Sequence, residues 1–97
     1  MNLIDAVAMI HTLDQELAIC AKRPWTGDAE CVTVMLDRSD KVPTATTDAG
    51  FEYLLEVHVA LEVLEVFGDR EPTLDQKLRL IIFYAENDAF PDWVYDD

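Results

Sequence analysis

Hydrophobic residues recur at helical spacing from the start of the chain, and this pattern predicts an amphipathic helix. The apolar stripe comprises Leu3, Ala6, Val7, Ile10, Leu13, Leu17 and Cys20. Asn2 can cap this helix, and Asp5 in its first turn suits the positive end of the helix dipole. Because the residue before a proline avoids the α region, we expect the helix to end at Arg23, before Pro24.

Two later segments have the pattern of strands. Residues 31–36 are apolar and β-branched, whereas residues 42–50 are polar and indicate a loop or an irregular edge. Residues 51–59 alternate at period two, with Phe51, Tyr53, Leu55, Val57 and Val59 on one face and Glu52, Glu56 and His58 on the other. Since Leu and Glu are good helix formers, a helix stays an alternative for residues 51–59. We predict a strand to about Val57 and a helix to Phe67, with Gly68 just past its end.

The last helix has the clearest start signal in the chain. Thr73 and Gln76 have the spacing of a capping box, directly after Pro72. Apolar residues then follow at helical spacing, namely Leu74, Leu78, Ile81, Ile82 and Ala85. The order α-β-β-α-α predicts a small single α+β domain, in which helices pack on a short antiparallel sheet. We assign residues 1–90 to this domain and residues 91–97 to an acidic aromatic tail.

Charge changes this picture more than any motif does. The chain has 20 Asp and Glu against 7 Lys and Arg, a net charge of −13, yet 51% of its residues are hydrophobic. Disorder requires high charge together with low hydrophobicity, so we expect a folded domain. A surface this negative repels nucleic acid and anionic membranes and attracts basic surfaces. We therefore expect a basic protein partner, no direct binding of nucleic acid and no membrane association.

The residues that suit metals and redox chemistry are poorly spaced. Cys20 and Cys31 form no CxxC motif, and His11 and His58 are far apart in the sequence. We place Cys20 at the end of the first helix and Cys31 at the start of the first strand, both as buried free thiols. The N-terminus lacks the basic region of a secretory signal, and the longest apolar run, residues 80–85, is too short to span a membrane. These features predict a cytoplasmic protein without metal or cofactor.

The candidates for catalysis have simpler structural explanations. His58 lies near Glu56 and Glu62, which is compatible with an acid–base site, but we interpret it as a surface histidine on a polar face. Asp14 falls within the apolar stripe of the first helix, and we expect it to pair with a base or to cap loop N–H groups. No nucleophile motif or glycine-rich phosphate loop is present. We expect no enzymatic activity.

The end of the chain combines acids with aromatic residues and has no base. The candidate partner-binding residues are Glu86, Asp88, Phe90, Asp92, Trp93, Tyr95 and Asp96. Large aromatic side chains within an unpaired negative surface have the composition of a binding hot spot for a basic partner. An alternative is that Phe90 and Trp93 attach the tail to the core. Both roles are compatible with each other.

Residues 83–90, Phe-Tyr-Ala-Glu-Asn-Asp-Ala-Phe, carry a resemblance to a known family. This segment resembles the closing helix of a family of small acidic bacterial proteins of unknown function, which end in aromatic-Tyr-x-Glu-Asn-Asp-Ala-Phe. The upstream order of helix and strands is also similar, and the residues after Phe90 extend beyond the pattern. The resemblance supplies no catalytic residues. Some such proteins look like immunity proteins encoded beside toxins, which implies a binding role.

Three interpretations of function stay open. The first is an immunity or antitoxin-like inhibitor that occludes the basic surface of a toxin or nuclease. The second is a nucleic-acid mimic, whose carboxylates occupy the DNA channel of a restriction, CRISPR or regulatory protein. The third is an accessory subunit that associates with itself, for example as a homodimer.

Overall fold

A computed structural model describes residues 1–95 and shows three strands and four α-helices. The α-helices are α1 (Leu3–Ala8), α2 (Thr44–Asp48), α3 (Val57–Leu64) and α4 (Leu74–Asn87). The strands are β1 (Ala18–Ala21), β2 (Cys31–Val34) and β3 (Glu52–Glu56), and short 3₁₀ helices span Ile10–Thr12, Glu65–Phe67 and Asp92–Tyr95. The sheet is antiparallel, with the order β2-β1-β3. This architecture confirms the predicted α+β class.

The first helix is much shorter than its apolar stripe predicts. It ends at Ala8, and residues 18–21 form the central strand of the sheet, so the placement of Cys20 at a helix end is wrong. All four residues of β1 are buried. A strand that is buried on both faces does not alternate between apolar and polar residues. The apolar residues of β1 therefore looked like a continuation of the apolar stripe of the helix before it. Asp14 lies outside the core, in the connecting loop, where its carboxylate accepts a hydrogen bond from the N–H of Glu16 at 2.9 Å.

β1 is the central strand and has a hydrogen-bonded neighbour on each edge. Since β2 and β3 both run antiparallel to β1, they are parallel to each other. The chain between them must therefore pass over β1 from one edge of the sheet to the other. Ile19 and Ala21 pack with the helices α1, α3 and α4 on one face. On the other face, the ammonium group of Lys22 lies 5.0 Å from the ring of Phe51, at the end of the crossover. The crossover contains α2, which corrects the prediction of a loop over residues 42–50.

A β-bulge interrupts the period-two pattern of β3. Cys20 lies opposite Tyr53 and Ile19 lies opposite Leu55, so Leu54 is an extra residue on β3. Leu54 and Leu55 are consequently both buried, whereas Tyr53 is exposed. The prediction of a strand followed by a helix is confirmed, but the placement of Tyr53 on the buried face is wrong.

The apolar side chains form two clusters. The larger cluster lies between the sheet and α1, α3 and α4. The smaller cluster, which we call the C-terminal cluster, comprises Val63, Phe67, Leu80 and Val94. Val94 is only 1% exposed, so residues from beyond α4 contribute to the core. Within residues 1–95, no helix is long and apolar enough to cross a membrane.

The two cysteines are free and buried, as predicted. Cys20 lies opposite Val32, the residue that follows Cys31, and neighbouring residues on a strand point to opposite faces. The thiols therefore lie on different faces of the sheet and do not meet. Burial raises the pKa of both thiols. At Cys31 the positive charge of the amino terminus opposes this increase in pKa, and the negative charges of Asp5 and Glu30 add to it.

We expect these thiols to be almost unreactive in the folded protein. A raised pKa lowers the fraction of reactive thiolate at neutral pH, and burial blocks access to it. With a chromogenic disulfide reagent at neutral pH, Cys20 and Cys31 should react only at the rate of structural opening, and both should react at once in denaturant. Rapid labelling of either thiol without denaturant would contradict their burial.

Gly68 ends the α3 region with a backbone conformation that suits glycine. Its φ of 59° and ψ of −127° lie in a region that residues with a Cβ rarely adopt. We expect Gly68→Ala to lower the free energy of unfolding by about 1–3 kcal/mol, measured in urea. Asp69→Ala at the exposed neighbouring position is the control and should change it by less than about 0.5 kcal/mol. Equal stability of the two variants would show that the turn relaxes without cost.

Candidate partner-binding surface

The helix α4 begins with a capping box and has an exposed aromatic side chain on its outer face. The Thr73 hydroxyl accepts from the N–H of Gln76, and the Gln76 side chain accepts from the N–H of Thr73, so the predicted capping box is confirmed. Leu78, Leu80 and Ile81 are buried on the inner side. Phe83 lies on the outer side and is 36% exposed. A large aromatic side chain is thus held on a rigid element and faces solvent.

The chain turns back over α4 after the helix ends. Asp88 adopts the left-handed conformation, with φ 52° and ψ 36°, and terminates the helix. The ring of Phe90 then packs on Tyr84, with 5.3 Å between centroids. Val94 enters the C-terminal cluster, and the ring of Trp93 lies 6.4 Å from that of Phe67. The predicted attachment of the tail by Phe90 and Trp93 is therefore present in the structure.

A shallow groove of about 250 Å³ lies between α4 and this returning segment. We call it the α4 groove, and it is lined by Arg79, Ile82, Phe83, Glu86 and Trp93. The guanidinium of Arg79 lies 4.9 Å from the centre of the Trp93 ring, within the range of a cation–π contact. This contact, together with the packing on Phe67, fixes the orientation of the indole.

Glu86, at one end of the α4 groove, is held by Arg23 in the loop after β1. The guanidinium of Arg23 donates to Glu86 at 2.9 Å and lies 3.4 Å from a carboxylate oxygen of Glu52. The same guanidinium stacks over the ring of Trp25 at 3.5 Å, and the Trp25 indole donates to the carbonyl of Ala21. We call this arrangement the Arg23 bracket. It joins α4, β3 and the loop after β1 at the end of the groove.

The sequence-predicted binding residues are only partly brought together. Glu86 and Trp93 line the α4 groove, whereas Phe90 is half-buried against Tyr84. Asp88 and Asp92 are exposed near the start and end of the turn, and Tyr95 is 66% exposed. Asp96 lies outside the described residues. The partner-binding role of all these residues stays a prediction, as does the division of the chain at residue 90.

Sequence reasoning missed three members of the α4 groove, namely Arg79, Ile82 and Phe83. A signal for Phe83 was present, because it falls off the apolar stripe of its helix yet is aromatic. An off-stripe aromatic residue on an otherwise amphipathic helix is a candidate for an exposed contact. Arg79 had no such signal, since its role depends on the turn that returns Trp93 to the helix.

The other acid-rich region surrounds His58. Its Nε2 atom lies 3.3 Å from a carboxylate oxygen of Glu56, and its Nδ1 atom lies 3.3 Å from the carbonyl oxygen of Gln15. A polar groove of about 430 Å³ beside His58 is also lined by His11, Glu62 and Glu65. Within residues 1–95, no three His, Cys, Asp or Glu side chains are arranged to hold a metal ion. The contacts of His58 attach the loop before β1 to the start of α3.

The comparisons with known proteins place the chain in a family without adding a function. No curated protein and no solved structure matches it. One family model, described as a domain of unknown function, matches residues 1–93, which is nearly the whole of the described chain. The expectation of a family of unknown function is thereby confirmed. The chain belongs to the family of the domain of unknown function DUF7716.

Proposed function

We propose that this protein is a non-enzymatic acidic binding module that covers a basic surface of a protein partner, in the manner of an immunity protein or antitoxin that occludes a toxin or nuclease. The observation that carries the proposal is the α4 groove. There, Phe83 and Trp93 are presented on a rigid helix and a packed turn, and the exposed Asp92 directly precedes Trp93 in the chain.

The two properties of this surface serve different stages of binding. Buried aromatic anchors supply most of the energy of a protein interface, and they are most effective when held in a single orientation. Long-range attraction between a chain of net charge −13 and a basic partner raises the rate of encounter. A pre-oriented Trp93 on a chain of this net charge combines both effects.

The distribution of the acids favours an inhibitor over a nucleic-acid mimic. Mimicry of duplex DNA requires carboxylates arrayed along one face, because phosphates follow the helix axis in regular rows. Here, exposed acids occur on all four α-helices, with Asp5 in α1, Asp48 in α2, Glu62 in α3 and Asp75 in α4. A compact contact around one groove therefore suits this molecule better than a long row of charges.

Capture of the partner and its binding kinetics test the proposal. The protein is used as bait in lysate of its own cells at low salt, and a stoichiometric basic protein should elute with rising salt. The association rate of the purified pair should fall steeply with ionic strength, while the dissociation rate changes much less. An association rate that is unchanged from low to high salt would contradict electrostatic attraction as the basis of recognition.

A matched pair of variants on one helix locates the site. Phe83 and Leu74 both lie on α4 and are 36% and 37% exposed, but only Phe83 lines the α4 groove. We expect Phe83→Ala to weaken the captured complex by about 30-fold, the effect of losing one hot-spot side chain. Leu74→Ala should bind like the parent protein. Equal effects of the two variants would place the contact elsewhere.

A further inference from the structure

The two outer edges of the sheet differ in their protection against pairing with another strand. The exposed edge of β3 carries Glu52 and Glu56 and contains the bulge at Leu54. Charges and bulges are the means by which natural edge strands avoid association. In contrast, residues 31–36, which include β2, contain no charge and no proline, in a chain that is 28% charged.

The N-terminus covers only the first half of the β2 edge. The N–H of Cys31 donates to the carbonyl of Met1 at 2.8 Å, and Asn2 forms a β-bridge with Glu30. The N–H of Cys31 therefore points away from β1. Because backbone orientation alternates along an antiparallel strand, Thr33 also directs its N–H and C=O outward. Within residues 1–95, no other backbone group pairs with these outward groups of Thr33.

Exposed apolar side chains flank this open backbone. Met35, directly after β2, is 55% exposed, and Met1 at the covered end of the same edge is also exposed. Methionine is flexible and adapts to varied apolar contacts, so it is common at binding surfaces. The second half of the β2 edge thus offers unpaired backbone groups next to apolar side chains, without a charge in the strand itself.

We propose that this open edge is a homodimer interface, in which β2 of one copy pairs antiparallel with β2 of a second copy. A two-fold axis at Val34 places Thr33 opposite Met35 and Val32 opposite Leu36 of the second copy. Only uncharged residues therefore face each other over residues 32–36, the part of the edge that Met1 and Asn2 leave open. The result is a continuous sheet with three strands from each copy.

Net charge sets how this dimer responds to salt. Two chains of charge −13 repel each other at long range, and added salt screens that repulsion. Self-association should therefore strengthen with ionic strength, whereas binding of a basic partner should weaken. The interface is also separate from the α4 groove, so this inference does not rest on the proposed function.

Sedimentation of the full chain over a roughly hundredfold concentration range tests the proposal at low and high salt. The parent protein should shift from the 11.0 kDa mass of one chain to twice that mass as concentration rises, and at a lower concentration in high salt. Thr33→Pro removes the outward N–H without removing a bond to β1, and edge strands tolerate proline at such positions. Met35→Asp brings like charges together across the axis. Both variants should remain monomeric in high salt over the whole range.

A matched control and an amide measurement complete the test. Met9 is 43% exposed at the end of α1, so Met9→Asp makes the same chemical change away from β2 and should dimerise as the parent does. Hydrogen exchange of the Thr33 amide should slow as the dimer forms. If Thr33→Pro loses its fold by circular dichroism, Met35→Asp decides the outcome. A parent that stays monomeric in high salt, or a dimer that persists in Met35→Asp, overturns the proposal.

Discussion

Ending the chain at Phe90 is expected to lower the free energy of unfolding by several kcal/mol. The deletion removes Val94, which is 1% exposed in the C-terminal cluster, and the Trp93 ring that packs on Phe67. Full burial of a Val side chain contributes about 1.5–3 kcal/mol, and a large aromatic side chain contributes at least as much. The loss also exposes Phe67 and Leu80 to water, so the shortened protein should unfold at a much lower urea concentration.

Single substitutions distinguish the buried residues of this segment, whose loss lowers the free energy of unfolding, from the exposed ones. Val94→Ala should reproduce about 1–2 kcal/mol of the loss, because it removes two buried methyl groups and leaves a cavity. Tyr95→Ala, at a side chain that is 66% exposed, should leave stability within about 0.5 kcal/mol of the parent. If residues 1–90 unfold at the same urea concentration as the parent, the predicted division into a domain and a separate tail is correct.

Ile19→Ala is expected to be the most damaging single truncation in the sheet, at about 3–4 kcal/mol. Ile19 is fully buried in the central strand, opposite Thr33 on one side and Leu55 on the other, at the position of the bulge. Since the surrounding strands are fixed by their hydrogen bonds, the site can collapse little around the missing atoms. This loss is a large fraction of the roughly 5–15 kcal/mol that stabilises a typical domain.

Met35→Ala is the control for this substitution. It also truncates a long apolar side chain at the sheet, but the side chain is mostly exposed and should contribute little to the monomer. Urea unfolding followed by circular dichroism, at a concentration and salt where the protein is monomeric, compares the two variants with the parent. An Ile19→Ala protein within about 1 kcal/mol of the parent would show that β1 is not the centre of the core.

The elements that could be predicted are those with local chemical signals. The capping box at Thr73 begins α4, the β-branched run of residues 31–36 contains β2, and Gly68 follows the end of α3 and its 3₁₀ extension. β1 could not be predicted in this way, because Ala-Ile-Cys-Ala is short, has no glycine or proline on its N-terminal side and is buried on both faces. The bulge at Leu54 depends on the register with β1, which no local pattern contains.

Within the candidate site too, only the residues with a local signal in the sequence could be predicted. Trp93 and Glu86 were found because aromatic and acidic residues are concentrated near them in the sequence. The base that holds Glu86 is Arg23, which is 63 residues away in the chain and is brought near only by the packing of α4 beside the sheet. Phe83 is exposed because of the direction in which α4 faces, and that direction follows from contacts of the whole helix with α1 and α3.

The Arg23 bracket has an optical consequence. Both tryptophans of the chain lie beneath a guanidinium, Trp25 under Arg23 and Trp93 under Arg79. Arg79 and Trp93 line the α4 groove themselves, and Arg23 is bonded to Glu86 at its end. A ligand that seats in the groove displaces or covers groups that touch each indole. The intrinsic fluorescence of the unmodified protein is therefore a built-in indicator of occupancy, and single replacement of Trp25 or Trp93 by phenylalanine assigns the signal to one side of the groove.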